Sequence, residues 1–348
     1  MFSSTSPETG RDPWAGDARP GPAGPVRGLP PGPRTGPADD GEQRRERGPR
    51  RARKGGAPRR PDDEPAEPEE EFVEPVDVRK PLSMTVAGFA ALLGVGLVLG
   101  AQTAGPGHRL PFAFIVFGVQ LLFVLAWTMA MRPPALMLVA VVSAAVAGAA
   151  DVAAVQSDIA GLAPLGYVAA GGFVLGVLGQ LVRRVDRIRV TDSLGTTLLI
   201  VVGVVAFATL ITLSRIPAGT QAITVCLAAT GVALTVARVT DAVLPWPRLA
   251  PQVPRGAAGV VAGAMIGTLT SAVLGSYLVG FTPTSAALIG LVTAATAVLA
   301  DLAVGYAEAG RLMAGEPPTM WIARHMQGPL GGFALAAPAA YAMCVLFL

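Results

Sequence analysis

Lysine disappears from this chain after Lys80, and carboxylates nearly do: residues 81–348 hold 12 Arg, no Lys and 8 Asp or Glu. A stretch so poor in charge and so apolar is not built for water. Histidine and cysteine are just as scarce, at two each. His108 and His325 stand isolated, which excludes a His/Cys metal cluster. Cys226 and Cys344 both lie inside apolar runs and read as small buried hydrophobes, neither ligands nor a disulfide. No P-loop, GxSxG elbow, HExxH helix or dinucleotide-binding glycine pattern occurs.

What is present divides into two regions. Residues 1–80 contain 15 of the 27 basic and 16 of the 24 acidic residues, with much Pro and Gly. Such a segment cannot bury enough apolar area to offset chain ordering, so a disordered, charged cytoplasmic tail is expected. Its basic block (44–60) and acidic block (62–71) partly neutralise each other. The pI near 9.2 therefore gives no reason to expect nucleic-acid binding. No cleaved leader is visible, so the first apolar run is expected to act as an uncleaved signal anchor.

Residues 81–348 form the second region, a transmembrane helical domain. Crossing a hydrocarbon layer takes about 20 mostly apolar residues. Nine runs meet that length, at roughly 83–103, 111–131, 134–156, 160–182, 193–213, 219–243, 256–280, 283–306 and 328–348. The expected fold is all-α: a polytopic integral membrane bundle of about nine helices. Asp192 and Ser193 are placed to cap the fifth. With the N-terminus inside, Arg79, Lys80, Arg132, Arg183, Arg184, Arg187, Arg189, Arg248, Arg255, Arg311 and Arg324 face the cytoplasm. Only Arg109 and Arg215 then lie outside. This predicts a multi-pass protein of the cell membrane with its C-terminus outside. Small residues four apart (Gly96 and Gly100; Gly172 and Gly176; Gly259, Gly263 and Gly267) predict close helix approach.

Ionisable residues within spans are costly and mark candidate sites. Asp241 and Asp301 fall near the cytoplasmic ends of their spans, with Glu308 just beyond and Arg238, Arg248, Arg255, Arg311 and Arg324 on the same side. Carboxylates hold Mg²⁺ with help from substrate phosphates, and Arg binds phosphate bidentately. The structural alternative pairs Asp241 with Arg238. Asp151, close to Asp158, reads as interfacial.

The stretch Thr240–Gly263 resembles the cytoplasmic loop of the phosphatidate cytidylyltransferases, or CDP-diacylglycerol synthases. There an Asp ends a span, and a loop of the form Leu-x-Pro-x-Ile-Ser-Pro-Lys-Lys-Thr-x-Glu-Gly-x-x-Gly-Gly opens the next. Asp241, Leu249, Pro251, Pro254, Arg255, Gly259 and Gly263 match in part, with Arg for Lys and the Thr-x-Glu lost. The family's Gly-Asp near the end of the eighth span is similar to Ala300–Asp301. Its terminal Pro-Gly-His-Gly-Gly-x-x-Asp-Arg-x-Asp resembles Gly328–Pro338, where Gly331 and Gly332 match. Leu330 replaces the His, and Leu335, Ala336 and Pro338 stand where charge belongs. The likeness covers about the last 180 residues.

The resemblance implies Asp241 and Asp301 as metal ligands for Mg²⁺, and Arg248, Arg255, Arg311 and Arg324 as phosphate or headgroup contacts. It also implies Gly328, Gly331 and Gly332 as a glycine loop. The family needs acidic ligands for two ions, and two Asp residues supply at most one. The expectation is a synthase-like protein with an eroded metal motif that is catalytically inactive or altered. Its partners would be membrane lipids, and an anionic phospholipid or nucleotide would bind at the cytoplasmic face. A transporter of a small molecule or lipid, and an active cytidylyltransferase with an altered site, are the alternatives.

Overall fold

Hydrocarbon offers no hydrogen bonds, so a spanning chain must pair its own backbone, and helices do this within one segment. In the computed structural model, residues 76–104, 109–157, 159–182, 190–317 and 319–347 are described. They belong to one compact unit, Glu69–Leu348. The expected tail up to residue 75, His108, Asp158 and the arginines at 183, 184, 187 and 189 lie outside the described residues.

Among the described residues are nine helices long and apolar enough to cross a membrane. They are α1 (Lys80–Ala101), α2 (Leu110–Met131), α3 (Leu136–Gln156), α4 (Ala163–Val182), α5 (Val190–Leu213), α6 (Gly219–Val243), α7 (Ala257–Tyr277), α8 (Pro283–Met313) and α9 (Trp321–Phe347). This is an integral, multi-pass membrane protein with an all-α bundle. Local chemistry sets several boundaries. Arg132 takes a left-handed conformation (φ 43°) at the end of α2, and Pro133 and Pro134 follow. Thr282 and Ser285 form a reciprocal capping box at the start of α8, with Pro283 in the first turn. Asp192 lies inside the first turn of α5, which begins at Val190, so it does not cap that helix.

Two groups of helices share one seam. α6 packs against α1, α7 and α8, and α5 packs against α2, α3 and α4. α9 runs between the groups, touching α2, α5, α6 and α8. Bonds between loops and helix ends show which ends coincide. Arg311 Nη1 donates to Ala130 O (3.2 Å) and Arg248 Nη1 to Val76 O (2.5 Å) at one end. Gln102 Nε2 donates to Thr224 Oγ1 (2.8 Å) and Tyr341 Oη to Ala160 O (2.8 Å) at the other. Most of the described cations gather at the first end, and Arg109 and Arg215 lie at the second.

α8 and α9 are longer than expected. At about 1.5 Å per residue, 31 residues make α8 roughly 46 Å long, well beyond a hydrocarbon layer of about 30 Å. Glu308 and Arg311 therefore sit on a helical extension. Arg324 and His325 occupy the first turns of α9, not a loop. The residues joining α6 and α7 form a two-stranded antiparallel ribbon, β1 (Arg248–Ala250) and β2 (Val253–Gly256), which apolar periodicity does not foretell.

The buried face of α7 is Gly259, Gly263, Gly267, Ser271 and Gly275, one residue per turn, while Val261, Met265, Leu269 and Val273 are exposed toward lipid. A methyl group on Gly263 would lie 2.5 Å from Ala233 O, and one on Gly267 2.7 Å from Ala229 O. The small-residue spacing thus brings α6 and α7 backbone to backbone. Gly172 and Gly176 serve α4 likewise, against Val146 and Thr197, and Gly100 meets Ile115. Gly96 does not: it is exposed with open space around it, and Gly94 faces Gly231 instead, where the Phe333 ring fills the notch. Gly263→Val should therefore destabilise the fold by about 1–3 kcal/mol. Gly96→Val should stay within about 0.5 kcal/mol of the parent. Thermal unfolding of the two purified variants in detergent distinguishes them.

Candidate functional site

The ribbon delivers one side chain into the bundle. Along β2, Val253 and Arg255 point to the same face, as strand alternation requires, and both are buried. Arg255 (3% exposed) reaches Asp241 of α6 with Nε at 2.5 Å and Asp301 of α8 with Nη1 at 2.5 Å. The two carboxylates are 1% and 0% exposed, so a single guanidinium bridges two buried anions. Asp301 also takes a two-pronged contact from Arg238 of α6, with Nε at 3.0 Å and Nη2 on the other oxygen. Asp241 accepts a further bond from the Gly256 amide at 2.9 Å. Ser83 Oγ of α1 donates to Arg238 O at 2.7 Å, which ties a third helix to the cluster.

Two positive and two negative side chains make the cluster neutral. Burial works against the charge on Arg255, but Asp301 and Asp241 outweigh it and hold the guanidinium above its ordinary range. Glycines make the space. A methyl group on Gly328 would overlap the Asp301 carboxylate, and one on Gly259 would overlap Asp241.

Above the cluster opens a cleft of about 410 Å³ between the residues before α1, the ribbon, α8 and α9. Its floor is Arg238, Arg255 and Gly328, and its polar rim includes Arg79, Glu308, Arg324 and His325. Glu308 and Arg324 pair with each other. Leu82, Val86, Val304, Leu312 and Trp321 give the cleft an apolar wall. Arg255 Nη2 is buried at the floor with no hydrogen-bond partner.

Of the residues expected to meet, Asp241, Asp301 and Arg255 do, and Arg324 joins them through the cleft. Arg248 and Arg311 do not. Arg248 lies 5.5 Å from the Trp246 ring centre and 3.8 Å from Asp77, fastening the ribbon to the chain before α1. Arg311 caps the end of α2 through Ala130 O and Met131 Sδ. Gly328, Gly331 and Gly332 form no loop, because all three lie within α9 on its buried face. Gly331 approaches Val304 and Trp127, and Gly332 approaches Ala297 O. Arg238 is not the partner of Asp241, three residues on. It bonds across to Asp301, and the intramembrane position of Arg238 on α6 was the available signal.

The donors around Asp241 and Asp301 do not fit Mg²⁺. The position between the carboxylates belongs to Arg255, and a guanidinium does not deprotonate to make way. Among the described residues no group of three or more His, Cys, Asp or Glu side chains is placed to hold a metal ion. No protein-family model and no curated protein sequence matches this chain.

Breaking a buried pair strands the partner charge. Asp301→Ala should destabilise the protein by about 3–5 kcal/mol. Adding Arg255→Met should recover part of that loss. A double-mutant cycle on thermal or denaturant unfolding measures the coupling, and additive losses would show that the bridge contributes nothing.

Proposed function

We propose that this membrane protein binds a phosphate-bearing anion, the headgroup of an anionic phospholipid or a nucleotide, in the cleft floored by Arg238 and Arg255. On this reading it is a divergent relative of the phosphatidate cytidylyltransferases that has set aside their metal-dependent chemistry. One observation carries the reading: Arg255, which lines the cleft, stands between the two carboxylates and still has a buried Nη2 with no hydrogen-bond partner. A fixed guanidinium replaces a bound ion as the local positive centre. Phosphate oxygens accept charge-assisted bonds from such groups, and the apolar wall suits the first carbons of an acyl chain. On this reading the cation-rich end faces the cytoplasm, which the positive-inside rule supports, and the protein lies in the plasma membrane with its N-terminus inside. Nucleotidyl transfer through two metal ions needs acidic ligands that this site commits to arginine.

Native mass spectrometry of the purified protein should find anionic phospholipid or nucleotide retained. Arg238→Gln leaves Asp301 paired with Arg255 and removes one charge-assisted donor from the floor. It should weaken retention by about one to two orders of magnitude. An assay with CTP, phosphatidate and Mg²⁺ should yield no CDP-diacylglycerol above background. Robust Mg²⁺-dependent formation would overturn the proposal, as would retention unchanged in the variant.

A further inference from the structure

A third buried carboxyl group lies in the other helix group, with no ion-pair partner among the described residues. Asp151 of α3, near the end of its span, is 6% exposed and buried inside the bundle. Gln120 of α2 donates through Nε2 to Asp151 Oδ1 at 2.9 Å and to Val204 O of α5 at 2.9 Å. Asp151 Oδ2 and Gln120 Oε1 are both buried without a hydrogen-bond partner. Two acceptors are thus left in an apolar interior with no donor to meet them.

The neighbouring elements supply no counter-charge. α3 packs against α2, α4 and α5. α2 has no titratable side chain, α5 has only Asp192 in its first turn at the opposite end, and α4 has only Tyr167, which is 79% exposed. Arg109 and Arg215 stand beyond Asp151 at the end of α3, where they bond Val155 O (3.4 Å) and Ala154 O (2.8 Å). Among the described residues no ion pair includes Asp151. A carboxyl group so enclosed is balanced at least cost by a proton, which also gives Oδ2 something to donate.

We propose that Asp151 is a proton-binding site within the membrane-spanning core. Its carboxylate takes up one proton to become the acid and returns it to water on release, while Gln120 holds Oδ1 in both states. Toward the cationic end, Ser143 Oγ, Gln180 and Ser193 Oγ are also buried without partners, on α3, α4 and α5. Such groups are suited to holding bridging waters along the way. The site shares no residue with the arginine cleft and stands whether or not that cleft binds phosphate.

Infrared difference spectroscopy of the full-length protein in lipid vesicles, with the proton itself as probe, tests this. Wild type should show a protonated-carboxyl C=O band that fades reversibly as pH is raised. The band should be lost in Asp151→Asn and shifted in Gln120→Leu, which keeps the carboxyl group but removes its donor. Absence of any Asp151-dependent band at every pH would overturn the proposal. So would a band unchanged by pH for as long as the protein stays folded, since that marks a fixed structural bond. If Asp151→Asn fails to fold, Gln120→Leu carries the assignment, and an unmoved pH-sensitive band overturns it.

Discussion

Arg255 is the constraint around which one end of the molecule is arranged. A buried guanidinium is tolerated only where carboxylates surround it, and a buried carboxylate only where cations or amide donors reach it. Asp241 on α6, Asp301 on α8 and Arg255 on β2 meet these needs mutually, with Arg238 completing the balance. The demand fixes how far α6 and α8 stand apart and where the ribbon lies. It also explains why a helix as apolar as α9 presents Gly328 at that height, since a larger residue would displace the Asp301 carboxylate.

Elsewhere the bundle depends on small residues. Lipid tails are as apolar as leucine, so helices gain little from hiding large apolar side chains from them and more from close packing. α7 shows the division plainly, with one glycine or serine per turn inward and Val, Met and Leu outward. The glycine contacts and the charge cluster work on the same interfaces. Gly259 serves both, letting α7 approach α6 beside the Asp241 carboxylate.

The membrane class, the nine spans and most of the helix-approach sites were legible in the sequence, because the length of an apolar run and the spacing of glycines are local properties. The convergence of Asp241, Asp301 and Arg255 was anticipated as a neighbourhood but not as a bridge. Pairing Arg238 with Asp301 instead of Asp241 depends on the rotation of α6 against α8, which no local pattern encodes. The extensions of α8 and α9 were missed for a related reason. Hydropathy reports where apolar residues stop, whereas both helices continue through polar turns in which Glu308 and Arg324 pair with each other. The burial of Asp151 was not legible, because position along a helix gives depth alone and burial among α2, α3 and α5 needs the third dimension.

The ribbon has a mechanical consequence. Val76 N donates to Pro251 O at 2.9 Å, and Arg248 grips Val76 O from the adjoining strand. The chain is thus stitched to the ribbon just before α1 begins. Tension on the backbone upstream of Val76 would load β1 and the ribbon turn before it strained α1, and would reach the guanidinium lodged between the two helices through the pairing of β1 with β2.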